Sequence, residues 1–338
     1  MIPMDATSCF TLRESRDLAC AVYRHADLPV AELEERDFEG GEFKLRPLET
    51  VRDRTALVLQ CLAGTAEVPL SERLVRLLFL LYGLRDAGAL RRIALLPYLT
   101  FARKDRRTQT RDPVNSRYIA QLLEAAGVDR VITLDVHNPA ALDNAFRVPV
   151  DHLSALPLMV DHFATRLHDA QLTIASPDIG GVKRAQIFRE LLEARLGREV
   201  ELAFFEKRRT KGVVSGDALV GTVKGRTVLV VDDLCATGNT LKRAAEVCTR
   251  VGARAIYAAV THAPYPPGIV SVVADPAITG VITTDSAGYH FGPLPPDGAG
   301  KLTVLSIAPL FGEALRRMLS GKPLAPLLQH WPVVEPGG

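Results

Sequence analysis

The sequence predicts an α/β protein of two domains, each a mainly parallel sheet with helices on both faces, and three observations carry that reading. Short β-branched, apolar runs recur at 55–62, 92–98, 129–135, 172–175, 227–231, 255–260 and 280–284. Their central residues are continuously apolar rather than alternating, which marks strands covered on both faces, and helical patterns lie between them, which marks parallel connections. The length, 338 residues, suits two domains at roughly 150 residues each.

The elements follow in order. After the run at 55–62, Ser71 is an N-cap for a helix through Leu84. The run at 92–98 leads to a helix over 113–126, opened by Asp112-Pro113 and closed by Gly127. The next strand, 129–135, ends just before His137. Residues 151–157, bounded by Pro149 and Pro157, are strand-poor and form the crossing into a second α/β block. There the strands at 172–175 and 227–231 precede a helix over 237–251 that stops at Gly252, and strands at 255–260 and 280–284 complete the sheet. Gly252 and His262 repeat the spacing of Gly127 and His137, an echo between two similar halves. After Leu305 comes one helix over 309–319 and a Pro-rich end. The expected division is 1–155, 156–305 and a C-terminal helix and tail at 306–338.

Composition narrows the function. Lys and Arg total 41 against 39 Asp and Glu, a net charge of +2, too small for the basic field of a general nucleic-acid binder, so anion binding has to be local. The five cysteines are scattered without a CxxC pair, which argues against a disulfide framework or zinc site and for a reducing, cytoplasmic setting. Apolar runs such as 77–82 stop far short of the ~20 residues of a membrane span, and Asp5, Arg13 and Glu14 stand where a signal peptide is apolar.

The chemistry concentrates at 227–240, Thr-Val-Leu-Val-Val-Asp-Asp-Leu-Cys-Ala-Thr-Gly-Asn-Thr. A buried strand ends in Asp232 and Asp233, and a small-residue loop, Ala236, Thr237, Gly238, Asn239 and Thr240, opens the next helix. Backbone N–H groups, hydroxyls and the helix dipole there suit a phosphate monoester. Two adjacent carboxylates at a strand end suit sugar hydroxyls, directly or through magnesium, because packing alone does not favour burying them. No GxxxxGK[ST] or strand-following GxGxxG occurs. Two basic clusters add to this: Arg103, Lys104, Arg106 and Arg107 around Asp105, and Lys207, Arg208, Arg209 and Lys211 before a Gly-Val-Val-Ser-Gly stretch suited to a mobile flap. Each such cluster alone would more simply be a solvated face. Asp178, in Pro-Asp-Ile-Gly-Gly, is either a turn former or a ligand beside glycines that admit a phosphate.

Asp232 to Thr240 resembles the phosphoribosyl-pyrophosphate (PRPP) motif shared by type I phosphoribosyltransferases and PRPP synthetases. Phe101-Ala-Arg-Lys-Asp-Arg-Arg107, Val131 to His137, Ser176 to Arg184, Phe205-Glu-Lys-Arg-Arg209, Phe38-Glu-Gly-Gly-Glu42 and Leu305 to Leu310 resemble, in family order, segments of the ribose-phosphate pyrophosphokinases. The resemblance implies two type I phosphoribosyltransferase-like domains with the active site at their junction. It further implies a Mg2+-dependent transfer of the β,γ-diphosphoryl group of ATP to the anomeric hydroxyl of ribose 5-phosphate, giving PRPP and AMP. Lys207 and Arg209 are then the catalytic pair on a closing arm. Phe38, Glu42, Arg103, Lys104 and Asp105 take ATP. Asp232, Asp233, Ala236, Thr237, Gly238, Asn239 and Thr240 take ribose 5-phosphate, and His137 and Asp178 hold magnesium. A homo-oligomer, dimer or hexamer, is implied as well, with neither nucleic acid nor membrane as partner.

The chain departs from the family pattern at several points. Ala236 stands for an acid, Asn239 for a glycine, Gly40 for an Asp and Lys104 for a Gln, and Asn138-Pro139-Ala140 follows His137. Ala236 brings the loop closer to adenine-type phosphoribosyltransferases, so a PRPP-using transferase and a catalytically silent regulatory homologue stand as alternatives.

Overall fold

The computed structural model describes residues 6–329 except 66, 211–212, 289–293, 295 and 299, together with the side chains of those residues apart from 206–217, 297 and 329. The chain divides into two compact units. The first takes the described residues of Met1–Ser154, Asp285–Tyr289 and Ser306–Leu327, and the second those of Ala155–Thr284, His290–Leu305 and the residues after Leu327.

The first unit runs β1 (Thr7–Thr11), α1 (Arg16–His25), β2 (Leu33–Asp37), β3 (Phe43–Pro47), β4 (Thr55–Leu59), α2 (Leu70–Asp86), β5 (Arg91–Leu96), α3 (Asn115–Ala125), β6 (Arg130–Leu134), α4 (Pro139–Ala145) and β7 (Val150–Leu153). Its main sheet is five-stranded and parallel, in the order β1-β4-β5-β6-β7, while β2 and β3 form a separate antiparallel hairpin. All five residues of β4 are buried. Ala56 and Val58 share one core with Leu77, Leu80, Leu81 and Leu84 of α2. On α1, the fully buried Tyr23 donates its hydroxyl to the Phe10 carbonyl at 2.9 Å, so a polar atom enters the core only with a partner.

The second unit runs α5 (Leu156–Arg166), β8 (Leu172–Ser176), α6 (Val182–Leu196), β9 (Glu201–Thr210), β10 (Val213–Val220), β11 (Thr227–Leu234), α7 (Asn239–Val251), β12 (Ala255–His262), α8 (Pro266–Val273), β13 (Gly280–Thr284) and β14 (Leu302–Leu305). The sheet is seven-stranded, β10-β9-β8-β11-β12-β13-β14, and every pair is parallel except β9 with β10. Val228 and Val230 of β11 pack with Leu241, Ala244, Ala245 and Cys248 of α7 in one core, which orients that helix under the strand it follows. The apolar spacing of 241, 244, 245 and 248 is the i, i+3, i+4, i+7 stripe of a core-facing helix.

Two helices close the chain, α9 (Ala308–Ser320) and α10 (Pro326–Gln329). α9 packs on α1, so the helix expected to stand apart at the C-terminus belongs to the first unit's core. The other expected elements are present with shifted ends: the helix expected from Pro113 starts at Asn115, and the one expected from Thr237 starts at Asn239.

Among the described residues, no helix is long and apolar enough to cross a membrane.

Candidate functional site

In the second unit, β11 runs one residue past Asp233, to Leu234, so Asp232 and Asp233 lie within the last residues of the strand rather than beyond it. Arg184, in the first turn of α6, reaches across with Nη1 3.3 Å from Asp232 Oδ1 and 3.4 Å from Asp233 Oδ1. The Asp233 N–H donates to Asp232 Oδ1 at 2.9 Å. Burial, followed by the neighbouring Asp233, pushes the Asp232 carboxyl well above the ordinary carboxylate range, and Arg184 opposes that rise. Such a pair gains from any cation or hydroxyl donor brought to it. Arg184 was not among the residues singled out from the sequence, where it reads as an ordinary helix cation after the Pro-Asp-x-Gly-Gly turn.

The loop that follows is shaped by two glycines. Gly238 has φ +78°, a backbone that L side chains rarely adopt, and a Cβ there would meet Val272 at 2.5 Å. Gly268, in α8, lies so close to the loop that a Cβ would fall 1.8 Å from the Ala236 carbonyl oxygen. α8 therefore presses directly on the loop backbone, and Ser271 donates to the Thr237 carbonyl at 3.3 Å. Thr237, Asn239 and Thr240 are exposed at the start of α7, with no side-chain cap on that helix end. Exposed hydroxyls beside uncapped N–H groups form an anion-binding helix start. Cys235, beneath the loop, is buried and its thiol is pushed up to about 12, chiefly by burial, so it is a packing residue and not a nucleophile.

Asp178 follows β8 and caps a short 3-10 turn over Ile179–Gly181, accepting from the Gly181 N–H at 3.0 Å, while Ser176 donates to the Asp178 carbonyl at 2.6 Å. The turn-forming role is therefore real, and it occupies one carboxylate oxygen of two. Lys207 and Arg209 lie on the backbone of β9, in register with Asp217 and Val214 of β10, across an irregularity between Val214 and Asp217. Their side chains lie outside the described residues.

In the first unit, the β2–β3 hairpin carries Phe38 and Glu42 at its tip, with the Phe38 N–H donating to the Glu42 carbonyl at 2.8 Å. Both are exposed, Phe38 by 43%, and Arg36 lies over the Phe38 ring with its guanidinium carbon 5.1 Å from the centroid. Gly40, where the family has an acid, has φ +78°. The hairpin is tied down by Asp37, which pairs with Arg76 of α2 at 2.6 Å and with Arg13 at 2.8 Å.

The C-terminal ends of β5 and β6 are neighbours and carry the remaining candidates. Arg103 is exposed. Lys104 is turned within its own loop, with Nζ 2.5 Å from Asp112 Oδ2, and the same oxygen accepts from the Thr108 hydroxyl and from the Thr108 and Gln109 N–H groups. Lys104 leads the causes that hold the Asp112 carboxyl well below the ordinary range. Asp105 accepts from Asn138 Nδ2 at 2.6 Å. His137 is exposed immediately after the β6 turn. Among the described residues no three or more His, Cys, Asp or Glu side chains gather as a metal cluster, and His137 and Asp178 belong to different units.

The fold and the strand-end loop define an α/β protein of the phosphoribosyltransferase type, and the phosphoribosyl transferase domain model matches residues 150–267. The model for the N-terminal domain of ribose phosphate pyrophosphokinase matches residues 7–127. A curated ribose-phosphate pyrophosphokinase of Caldanaerobacter subterraneus is 34% identical over 320 residues, covering 94% of this chain and 96% of its own. That of Ralstonia nicotianae is 34% identical over 316 residues, covering 92% and 95%. The crystal structure of phosphoribosylpyrophosphate synthetase from Mycobacterium smegmatis matches with a TM-score of 0.81 at 31% identity, over 93% of this chain and 99% of that one. The chain belongs to the ribose-phosphate pyrophosphokinase family, enzymes that transfer a diphosphate group.

Proposed function

We propose that this protein transfers the β,γ-diphosphoryl group of ATP to the anomeric hydroxyl of ribose 5-phosphate. The observation that carries this reading is the Asp232–Asp233 pair at the end of β11 beside the exposed, uncapped start of α7, a site with hydrogen-bond acceptors for sugar hydroxyls and donors for a phosphate. A match to the pyrophosphokinase N-terminal domain over residues 7–127 favours synthesis of PRPP over its use by a transferase.

In this reading Thr237, Gly238, Asn239 and Thr240 hold the 5-phosphate, with Ala236 lending only backbone. Asp232 and Asp233 accept from the ribose hydroxyls, and Arg184 fixes their rotamers. Phe38 and Glu42 take the adenine end of ATP, and Arg103 and Asp105 the polyphosphate side. Lys104, already paired with Asp112, shapes the loop and is a weaker candidate for direct contact. The anomeric oxygen attacks the β-phosphorus, the bond between that phosphorus and the oxygen bridging to the α-phosphate breaks, AMP departs, and the hydroxyl proton is released. Charge builds on the transferred group, and Lys207 and Arg209 neutralise it from β9.

The donor set suits Mg2+, a hard cation that takes few protein ligands and keeps water and phosphate oxygens: Asp178 has a carboxylate oxygen beyond its cap, and the Asp232–Asp233 pair offers further carboxyl oxygens. His137 and Asp178 would hold the magnesium that accompanies ATP, and its chemistry there would be charge neutralisation on the polyphosphate. A cytoplasmic homo-oligomer completes the proposal.

The test is incubation with ribose 5-phosphate, ATP and magnesium, with separation of the nucleotides. AMP formed in step with PRPP, and lost in Lys207→Ala, is the expected result. ADP in place of AMP, or no turnover at all, refutes the reading.

A further inference from the structure

The turn that presents His137 is built under strain. Asp135, the residue after β6, is buried and has φ +35°, a left-handed conformation unusual for any residue with a side chain. Such a conformation persists only where its surroundings over-determine it. On one side the restraints come from the end of β7. The Asp135 N–H donates to the Leu153 carbonyl at 3.0 Å, Ser154 donates to Asp135 Oδ1 at 2.8 Å, and the Val136 N–H donates to His152 Nε2 at 2.9 Å.

On the other side stands Asn138. Its Oδ1 accepts from the Ala141 N–H at 3.2 Å, capping α4, and its Nδ2 donates to Asp105 Oδ2 at 2.6 Å. Asp105 is two residues after Arg103, in the loop at the end of the neighbouring strand β5. Asparagine is suited to this double duty because its amide carries an acceptor and a donor at once; aspartate has the acceptor alone.

We infer that Asn138 is a positioning residue, which ties the basic loop after β5 to the His137 turn so that the two nucleotide-facing segments are held as one piece. This rests on the activity proposed above. The consequence is that removing the donor, while leaving the cap, loosens both segments together. An ATP site assembled from two loose segments loses the preorganisation on which rate depends.

The experiment uses Asn138→Asp, Asp105→Asn and the double variant in the full-length protein. Asn138→Asp keeps a good N-cap but sets a carboxylate against Asp105. We expect kcat/KM for ATP to fall about tenfold or more, with the thermal midpoint little changed, and amide hydrogen exchange over residues 135–141 to accelerate. The double variant restores a donor–acceptor pair in the opposite sense with the same net charge, and it is expected to return both readouts to the level of Asp105→Asn alone. Wild-type exchange in Asn138→Asp, or a double variant no better than Asn138→Asp, overturns the inference. Hydrogen exchange reads the tie without turnover, so a wild type that makes no AMP counts against the proposed activity and leaves the tie to be judged on exchange.

Discussion

Gly268→Ala tests how the phosphate loop is held. The added Cβ would lie 1.8 Å from the Ala236 carbonyl oxygen, 2.7 Å from its carbonyl carbon and 3.3 Å from the Thr237 Cα. All three neighbours are backbone, so no side chain can swing away. Relieving the clash requires α8 and the Ala236–Thr237 loop to part by more than an ångström. Overpacking of this kind costs about 1–3 kcal/mol, which for a unit of about 150 residues lowers the thermal midpoint by several degrees, at about 2–4 °C per kcal/mol. A displacement of about 1 Å in a group that positions substrate costs on the order of a hundredfold in rate. The loss should fall on ribose 5-phosphate, because the shift is confined to its loop: KM for the sugar rises and its kcat/KM drops on that order, while ATP binding, measured separately by titration, stays near wild type. Steady-state kinetics with each substrate varied, alongside a thermal melt, checks this. Unchanged kinetics toward ribose 5-phosphate, or an equal loss toward both substrates, would refute the argument that α8 sets the loop.

Three other outcomes follow from the same geometry. Gly83→Ala, in the last turn of α2 with nothing within 4 Å of the new Cβ, should stabilise the protein by about 0.5–1 kcal/mol, visible as a raised melting midpoint. Asp232→Asn should abolish ribose 5-phosphate binding yet stabilise the ligand-free protein at alkaline pH. The raised Asp232 carboxyl makes wild type lose stability as pH climbs from the ordinary carboxylate range through the raised value, so melts at pH 6 and pH 8 should show the variant's advantage widening with pH. Asp112→Ala should loosen the loop of residues 104–112, read by faster amide exchange at Thr108 and Gln109. Since the Asp112 carboxyl is held low, the loop in wild type should stay ordered as pH falls through the ordinary carboxylate range, loosening only in stronger acid.

Seven of the parallel strands, helices α2, α3 and α7 after them and the loop from Asp232 to Thr240 could be read from the sequence because each is a local pattern, whereas β1, β7, β9 and β14 were not read, β7 lying partly in the stretch expected to be strand-poor. An apolar run is a covered strand, and a 3.6-residue stripe such as Leu241, Ala244, Ala245 and Cys248 is a core-facing helix wherever it sits. The two carboxylates drew notice for the same local reason, their cost at the end of a buried strand. The β2–β3 hairpin was not visible as strands, since Leu-Glu-Glu-Arg-Asp and Phe-Lys-Leu-Arg-Pro are rich in charge, and the partners that accommodate those charges include Arg13 and Arg76 from distant segments on Asp37. The same holds for the placement of α9 beside α1, nearly three hundred residues earlier in the chain. Which partner Arg184 takes and that Asn138 reaches Asp105 are contacts that exist only once neighbouring strand ends have been brought side by side, and that Lys104 is spent on Asp112 depends on how their loop folds back on itself. Sequence by itself therefore determined the elements and the kinds of residue offered to a phosphorylated sugar and a nucleotide. Tertiary structure decided which of those charges face a partner already and which remain open, because a side chain's electrostatic role depends on neighbours that chain folding, and not chain order, supplies.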